Sequence, residues 1–116
     1  MSNAKLVFSN LDRVDALKLK HREPAALIEE PAERSGLEQY EPGTVLVIIA
    51  LSGIAAVAAW LLKDRKLKTI KEEVELIQPD GSRFRRRIEY TVDESLASEA
   101  SEAALTRYLT NLFSTQ

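Results

Sequence analysis

The longest apolar stretch of the chain runs from Thr44 to Leu62, with the sequence TVLVIIALSGIAAVAAWLL, and it contains no charge and no proline. If its nineteen residues formed one helix, that helix would be about 28 Å long, close to the thickness of a bilayer's hydrocarbon core. The pattern therefore predicts one continuous helix over 44–62. Such a helix either spans a membrane or is buried in the core of a soluble protein.

The charges that flank this run would orient it in a membrane. Glutamates dominate the N-terminal side, whereas basic residues dominate positions 63–68. Because basic residues mark the cytoplasmic side of a spanning helix, residues 63–116 would be cytoplasmic if the run spans a membrane. Trp60, Lys63 and Arg65 would then lie at the membrane boundary. If the run is instead buried in a core, the expected location is cytoplasmic.

One face of the predicted helix carries four small residues at helical spacing: Ser52, Ala55, Ala56 and Ala59. Small side chains allow a second helix to approach closely, so this face is a candidate interface within a chain or between chains. It favours a homo-oligomer. The alternative is that the alanines are present only because alanine is a good helix former.

Two alternating segments follow the apolar run. Residues 69–77 and 82–92 each alternate apolar and polar side chains, and Gln78-Pro79-Asp80-Gly81 between them is a strong turn sequence. The pattern predicts a β-hairpin, with glutamates of the first strand opposite arginines of the second. Arg86 is the exception, since its parity places it on the apolar face.

The predicted outer face of the hairpin carries the densest basic cluster in the chain. Arg83, Arg85 and Arg87 form a candidate patch for an anion or for a protein partner. The alternative is a solvated strand face whose charges are balanced by Glu73, Glu75 and Glu89.

The two ends of the chain add shorter elements. Lys5 to Ser9 predicts a strand, and Leu11, Val14 and Leu17 recur at the spacing of a short amphipathic helix over about 11–20. The alternation Leu17-Lys18-Leu19-Lys20 also permits a strand there. Near the C-terminus, one apolar stripe predicts an amphipathic helix that packs on the inner face of the hairpin. The members of this stripe are Leu105, Tyr108, Leu109, Leu112 and Phe113.

Together these patterns predict an α+β fold. Its parts are a small sheet that includes the C-terminal hairpin, one long apolar central helix and an amphipathic C-terminal helix. Three segments are expected: an N-terminal strand and helix with an acidic linker over 1–42, the apolar helix over 43–66, and the hairpin with its helix over 67–116.

Composition narrows the chemistry. The formal net charge of −2 is too small to attract nucleic acid by bulk electrostatics, so no nucleic-acid partner is expected. The chain has no cysteine and one histidine, His21, which argues against a disulfide framework, a thiolate metal site and a histidine-based triad. No phosphate-binding or hydrolase motif is present. We therefore expect no enzyme activity, no cofactor and no metal.

The segment from Gly43 to Glu89 resembles a known family. An apolar, alanine-rich stretch ends in Ala59-Trp60-Leu61-Leu62-Lys63-Asp64-Arg65, and a strand, a Pro79-Asp80-Gly81 turn and an arginine-rich strand follow. This order is similar to the effector-associated constant component family of bacterial conflict systems. The matching positions are Pro42, Gly43, Trp60, Leu61, Arg65, Asp80 and Gly81.

The resemblance implies a role. Members of that family are small α+β accessory domains, encoded beside effectors such as proteases or TIR-type enzymes, that regulate or recruit them without a catalytic site. The expected function is thus a non-enzymatic accessory or regulatory protein with an effector or a second copy as partner. One apolar helix would anchor it in a bacterial inner membrane, in contact with lipid and with residues 63–116 cytoplasmic. The alternative is a soluble α+β homo-oligomeric binding module with the apolar helix buried in its core.

Overall fold

The computed structural model describes residues 4–29 and 44–114. The fold is α+β, as predicted. The elements in order are β1 (Lys5–Asp12), α1 (Arg13–Arg22), β2 (Leu27–Glu29), β3 (Thr44–Ala50), α2 (Ile54–Ala59), β4 (Thr69–Ile77), β5 (Arg83–Thr91) and α3 (Ser98–Ser114). A 3-10 turn over Leu51–Gly53 leads into α2, and a π-helical turn over Trp60–Asp64 extends it.

The strands of the described residues form one five-stranded sheet in the order β2-β3-β1-β4-β5. Every neighbouring pair is antiparallel. The three helices pack on one face of the sheet, which we call the inner face, and alternate strand residues point into this layer. The buried strand residues of the inner face are Leu6, Phe8, Leu11, Val45, Val47, Ile49, Ile70, Val74, Leu76 and Ile88. All three predicted segments of the chain therefore contribute to one sheet and one core.

The prediction of a continuous helix over 44–62 is wrong. The first part of the apolar run is β3, which pairs with β1 on one side and β2 on the other. Five of its seven residues are β-branched, and such side chains favour a strand over a helix. The alanine-rich part that follows is helical, as helix propensity predicts.

Gly53 lies at the junction between the strand and the helical part of the run. A Cβ atom at this position would lie 3.2 Å from Oε1 of Glu23 and 3.2 Å from Cγ1 of Ile49. The chain therefore turns from β3 into α2 where a side chain larger than hydrogen would crowd its neighbours.

The membrane-spanning arrangement depended on the continuous helix. In the part of the chain that the structure describes, no helix has both the length and the apolar character needed to cross a bilayer. The residues of the helical part instead contribute to the core beneath the sheet. Val57, Ala58, Trp60 and Leu61 are all fully buried there.

The N-terminal elements differ from the prediction in register. Strand β1 continues to Asp12, so Leu11 lies in the strand, opposite Val45 of β3. Because the helix starts later than expected, its buried face is also different. Val14 and Leu17 are 57% and 55% exposed, whereas Ala16 and Leu19 are fully buried.

The predicted hairpin is formed by β4 and β5, with the second strand one residue shorter at each end than expected. Gly81 takes a φ of 93°, a left-handed conformation that glycine adopts without strain. Its N–H donates to the carbonyl of Gln78. Asp80 accepts hydrogen bonds from both the hydroxyl and the N–H of Ser82, and these bonds lower the pKa of its carboxyl.

The C-terminal helix uses the predicted stripe. Leu105, Leu109 and Phe113 are buried in the same core cluster as the inner face of the hairpin, and Tyr108 and Leu112 are partly buried against it. Helix α3 thus covers the β5 side of the sheet, while α1 and α2 cover the remainder.

Candidate protein-interaction site

The arginine row of β5 lies on the outer face of the sheet, opposite the helices. The side chains of Arg83, Arg85 and Arg87 are 61%, 78% and 53% exposed. The glutamates of β4 lie beside them, as predicted. Arg83 contacts Glu75 at 2.9 Å, while Arg85 and Arg87 contact Glu73 at 3.5 Å and 3.7 Å.

These ion pairs are labile. Two of them, Arg83–Glu75 and Arg85–Glu73, connect diagonal neighbours, whereas Glu73 is directly opposite Arg87. Exposed pairs of this kind contribute about 0–1 kcal/mol each, since water solvates both partners and the long side chains lose entropy. Arg87 also contacts Glu89 of its own strand at 2.6 Å, and both side chains of that pair are more than half exposed. The guanidinium groups can therefore exchange these glutamates for the carboxylates of another molecule at little cost.

Strand β5 is also an edge of the sheet, since β4 is its neighbour within the described residues. The hydrogen bonds at its two ends define which backbone groups point outward. Gln78 donates to the carbonyl of Ser82 and Val92 donates to that of Lys68, so the even-numbered positions bond to β4. Because antiparallel pairing alternates, the odd-numbered residues of β5 direct their N–H and C=O groups away from the sheet.

Helix α3 closes one end of this edge. The outward N–H of Glu89 donates to the hydroxyl of Tyr108 at 3.0 Å. The ring of Tyr108 lies 5.1 Å from that of Tyr90, which keeps the hydroxyl in place. The outward N–H and C=O groups between the hairpin turn and this contact belong to the stretch from Arg83 to Arg87.

The inner face at the tip of the hairpin is less covered. Phe84 is 36% exposed, and the guanidinium carbon of Arg86 lies 5.4 Å from the centre of its ring. Nη1 of Arg86 also donates to the carbonyl of Arg85 at 3.3 Å. As its parity predicted, Arg86 lies on the same face as Ile88, which is fully buried.

An open groove of about 500 Å³ lies beside the arginine row. It extends to Ser9, where β1 is near the end of its pairing with β4. The outer face is therefore concave next to Arg83 and Arg85, which both line the groove.

The small residues of the central run occupy different environments. Ser52 and Ala55 are exposed, Ala56 is half-buried and Ala59 is buried. Helix α2 packs against α3 of the same chain, which is one helix–helix contact that small residues permit. An interface between chains at this face stays a prediction.

The residues expected at a membrane boundary make contacts inside the fold. Trp60 is fully buried, donates through Nε1 to the carbonyl of Asp15 at 2.9 Å, and meets Phe8 edge to face. Arg65 lies 5.3 Å from the centre of the Trp60 ring and forms ion pairs with Glu72 at 2.9 Å and Asp15 at 3.7 Å. This cluster ties α1, the end of the apolar run and β4 together.

Lys63, the third residue of that set, belongs to a second cleft of about 250 Å³ between the end of the apolar run and the start of α3. Its ammonium group contacts Glu102 at 2.7 Å, and Lys68 on the same cleft contacts Glu94 at 3.1 Å. Much of the charge in this cleft is therefore balanced within the chain.

A salt bridge joins the end of α1 to the end of the apolar run. Nε of Arg22 donates to Asp64 at 2.6 Å and a second nitrogen does so at 3.2 Å. This hydrogen bonding, opposed by partial burial, lowers the pKa of Asp64 and raises that of Arg22.

The depressed pKa of Asp64 predicts a pH-dependent effect. Asp64→Asn should reduce stability by about 1 kcal/mol near neutral pH, since it removes a charged hydrogen-bond acceptor. An unfolded aspartate has a pKa of about 3.9, so the loss should be full above that value. It should then disappear as the pH falls through the lower folded-state pKa. Urea unfolding from pH 7 to 3 measures this difference.

Glu94→Gln provides the control, because Glu94 and Lys68 form an exposed pair. Its stability should match the parent chain at every pH. A difference for Asp64→Asn that persists unchanged at pH 3 would contradict the assignment.

Comparisons with protein-family models, with curated proteins and with solved structures find no match. Among the described residues, no three histidine, aspartate or glutamate side chains are grouped so that they could hold a metal ion. The feature with the clearest capacity to recognise another molecule is therefore the β5 edge with its arginine row. Sequence reasoning found the arginines but missed Tyr108 as the group that limits the edge, because that contact joins residues distant in sequence.

Proposed function

We propose that this chain is a non-enzymatic protein-interaction module that binds an extended segment of a partner protein as an added strand along β5. The observation that supports this function is the nine-residue edge strand with outward-facing backbone groups from Arg83 to Arg87. Strand addition uses such groups for affinity and alternate side chains for specificity.

The character of the edge favours a selective docking site over a fully protected edge. Proteins blunt sheet edges with short strands, bulges and charges. The opposite edge, β2, is only three residues long. In contrast, β5 pairs with β4 in unbroken register over all nine positions. Its arginines discourage indiscriminate pairing but leave the outward N–H and C=O groups in place.

The apolar central run supports a module that carries its own core, because Val57, Ala58, Trp60 and Leu61 are buried within the chain. The family resemblance adds the hypothesis that the partner is an effector of a bacterial conflict system, which this chain regulates or recruits. Self-association through the small-residue face, and location at a membrane or in the cytoplasm, are further parts of this hypothesis.

The matched pair Arg85→Pro and Arg85→Gln tests strand addition. Both variants remove the same charge, but only proline removes the outward N–H. Proline is tolerated where an edge strand directs its N–H to solvent, so both variants should fold. Ten-residue segments are first selected from a displayed peptide library for binding to the full chain.

Selected segments should bind Arg85→Pro at least tenfold more weakly than Arg85→Gln, about 1.4 kcal/mol, because proline blocks the ladder. In the parent chain, binding should slow hydrogen exchange at the amides of Arg83, Arg85 and Arg87. Circular dichroism and thermal melting control for folding. Equal affinity for the two variants would show that the segments bind elsewhere.

A further inference from the structure

We infer that the segment accepted by β5 carries acidic residues in alternation with apolar ones, over about five residues, and that a second copy of β5 is a poor occupant. This inference rests on the proposed strand addition and specifies its partner. It follows from four features of the edge: the charges on its outer face, the side chains on its inner face, its length, and the like charges that would face each other if two copies of β5 paired.

The outer charges select acidic side chains. An added strand would place every second side chain next to the arginine row, on the side away from β4. The other side of the row already shows the arrangement, since Glu73 and Glu75 contact these arginines across the hairpin. Opposite charges on neighbouring strands stabilise pairing. An acidic segment would thus complete a ladder in which each arginine lies between two rows of carboxylates.

The inner face selects apolar side chains at the intervening positions. Phe84 is 36% exposed at the tip of the hairpin, beyond the part of β5 that α3 covers. Residues of the incoming strand that point to the inner face would lie beside this ring and beside Arg86, whose guanidinium lies 5.4 Å from the ring centre. An alternating acidic and apolar segment satisfies both faces at once.

The length of the site is limited at both ends. The hairpin turn at Gly81 precedes the strand, and the hydroxyl of Tyr108 already accepts the outward N–H of Glu89. Between these limits, Arg83, Arg85 and Arg87 offer their outward backbone groups. Entry requires the Arg86 side chain to release the carbonyl of Arg85, an exposed contact of 3.3 Å that water can replace.

A second copy fits this site poorly. If two stretches from residue 83 to 87 paired antiparallel along their whole length, Arg85 would face Arg85, and Arg83 would face Arg87 at both ends. Like charges directly opposite each other destabilise a strand pair. The same arginines therefore discriminate against self-pairing and in favour of an acidic strand.

Three labelled peptides of equal length test the inference against the full chain: Ser-Gly-Glu-Val-Glu-Val-Glu-Gly-Ser, and the versions with glutamine or lysine at the three glutamate positions. Fluorescence anisotropy at low and high salt measures affinity. Hydrogen exchange at the amides of Arg83, Arg85 and Arg87 reports on the site. The glutamate peptide should bind at least tenfold more tightly than the glutamine peptide, the lysine peptide should be weakest, and added salt should reduce the difference.

Charge reversal provides the variants. Arg85→Glu should reduce the preference for the glutamate peptide over the lysine peptide at least tenfold, since one of the three facing charges is reversed, whereas Lys71→Glu, an equal charge change on the outer face of β4, should preserve that preference. The glutamate peptide should also leave the sedimentation behaviour of the chain unchanged. If the peptide dissociated a dimer, the exclusion of a second copy would be wrong.

The outcomes separate the inference from the proposed function. If the glutamate and glutamine peptides protect the outward amides equally well, strand addition stands and the acidic preference is overturned. If none of the peptides protects those amides and the library segments also bind Arg85→Pro normally, strand addition itself is overturned. Tight glutamate-peptide binding with protection confined to other residues would overturn this site for the acidic segment.

Discussion

Replacing Trp60 with alanine is expected to lower the free energy of unfolding by about 3–5 kcal/mol, the range typical of a buried large aromatic residue. Trp60 is fully buried at the centre of the core cluster. Its loss would leave a cavity beside Phe8 and remove the surface on which the Arg65 guanidinium lies. It would also leave the carbonyl of Asp15 without its indole donor.

Chemical denaturation followed by far-UV circular dichroism measures this effect, because the substitution removes the only tryptophan as a fluorescent probe. Trp60→Phe is the matched control. It keeps an aromatic ring but loses the Nε1 hydrogen bond, so its cost should be clearly smaller than that of alanine. A loss below about 1 kcal/mol for Trp60→Ala would contradict the central position of this residue.

The hairpin and α3 could be predicted from the sequence because each has one buried face and one solvated face. In β4 and β5 the alternation has a period of two, and a Pro-Asp-Gly turn defines where the chain reverses. In α3 the apolar residues recur at helical spacing on a single stripe. Where a pattern distinguishes inside from outside, it also distinguishes strand from helix.

The apolar run has no pattern that separates a buried face from a solvated face. Every position from Thr44 to Leu62 is apolar or small, so no period separates a strand from a helix. Length suggested a helix, but the β-branched residues of the first part and the alanines of the second marked the change. In the fold, β3 lies between two strands with its inner face in the core, and the second half of α2, from Val57 to Ala59, is buried beneath the sheet. Both positions favour apolar residues.

The prediction of a helix at α1 is confirmed, but its start and its buried face were wrong for a related reason. Leu11, Val14 and Leu17 fit a helical period, but pairing with β3 extends β1 to Asp12 and moves the start of the helix. Tertiary pairing thus overrode a local pattern with only three members. The candidate site shows the same limit. The arginines are visible in the sequence, whereas the edge position of β5 and the Tyr108 contact depend on the order of the strands.

Replacing Leu109 with alanine is expected to cost about 2–5 kcal/mol, as for other fully buried leucines. Leu109 has no exposed surface and lies on the α3 face that packs against the hairpin. The cost should lie near the upper end of this range. The outer face of β5 is exposed, so the core beside this strand is buried only by the packing of α3 on its inner face. Urea unfolding monitored by Trp60 fluorescence gives the free energy directly.

Leu17→Ala is the matched control, since it makes the same change in a helix at a residue that is 55% exposed. It should alter stability by no more than about 0.5 kcal/mol. This control also tests the observed face of α1, because the periodicity alone would place Leu17 in the core. A double substitution with Ile88→Val should cost a different amount from the sum of the single changes, since both residues belong to one core cluster. Loss of less than about 0.5 kcal/mol for Leu109→Ala would mean that α3 does not hold the hairpin, and the edge of β5 would then lose the helix that positions Tyr108.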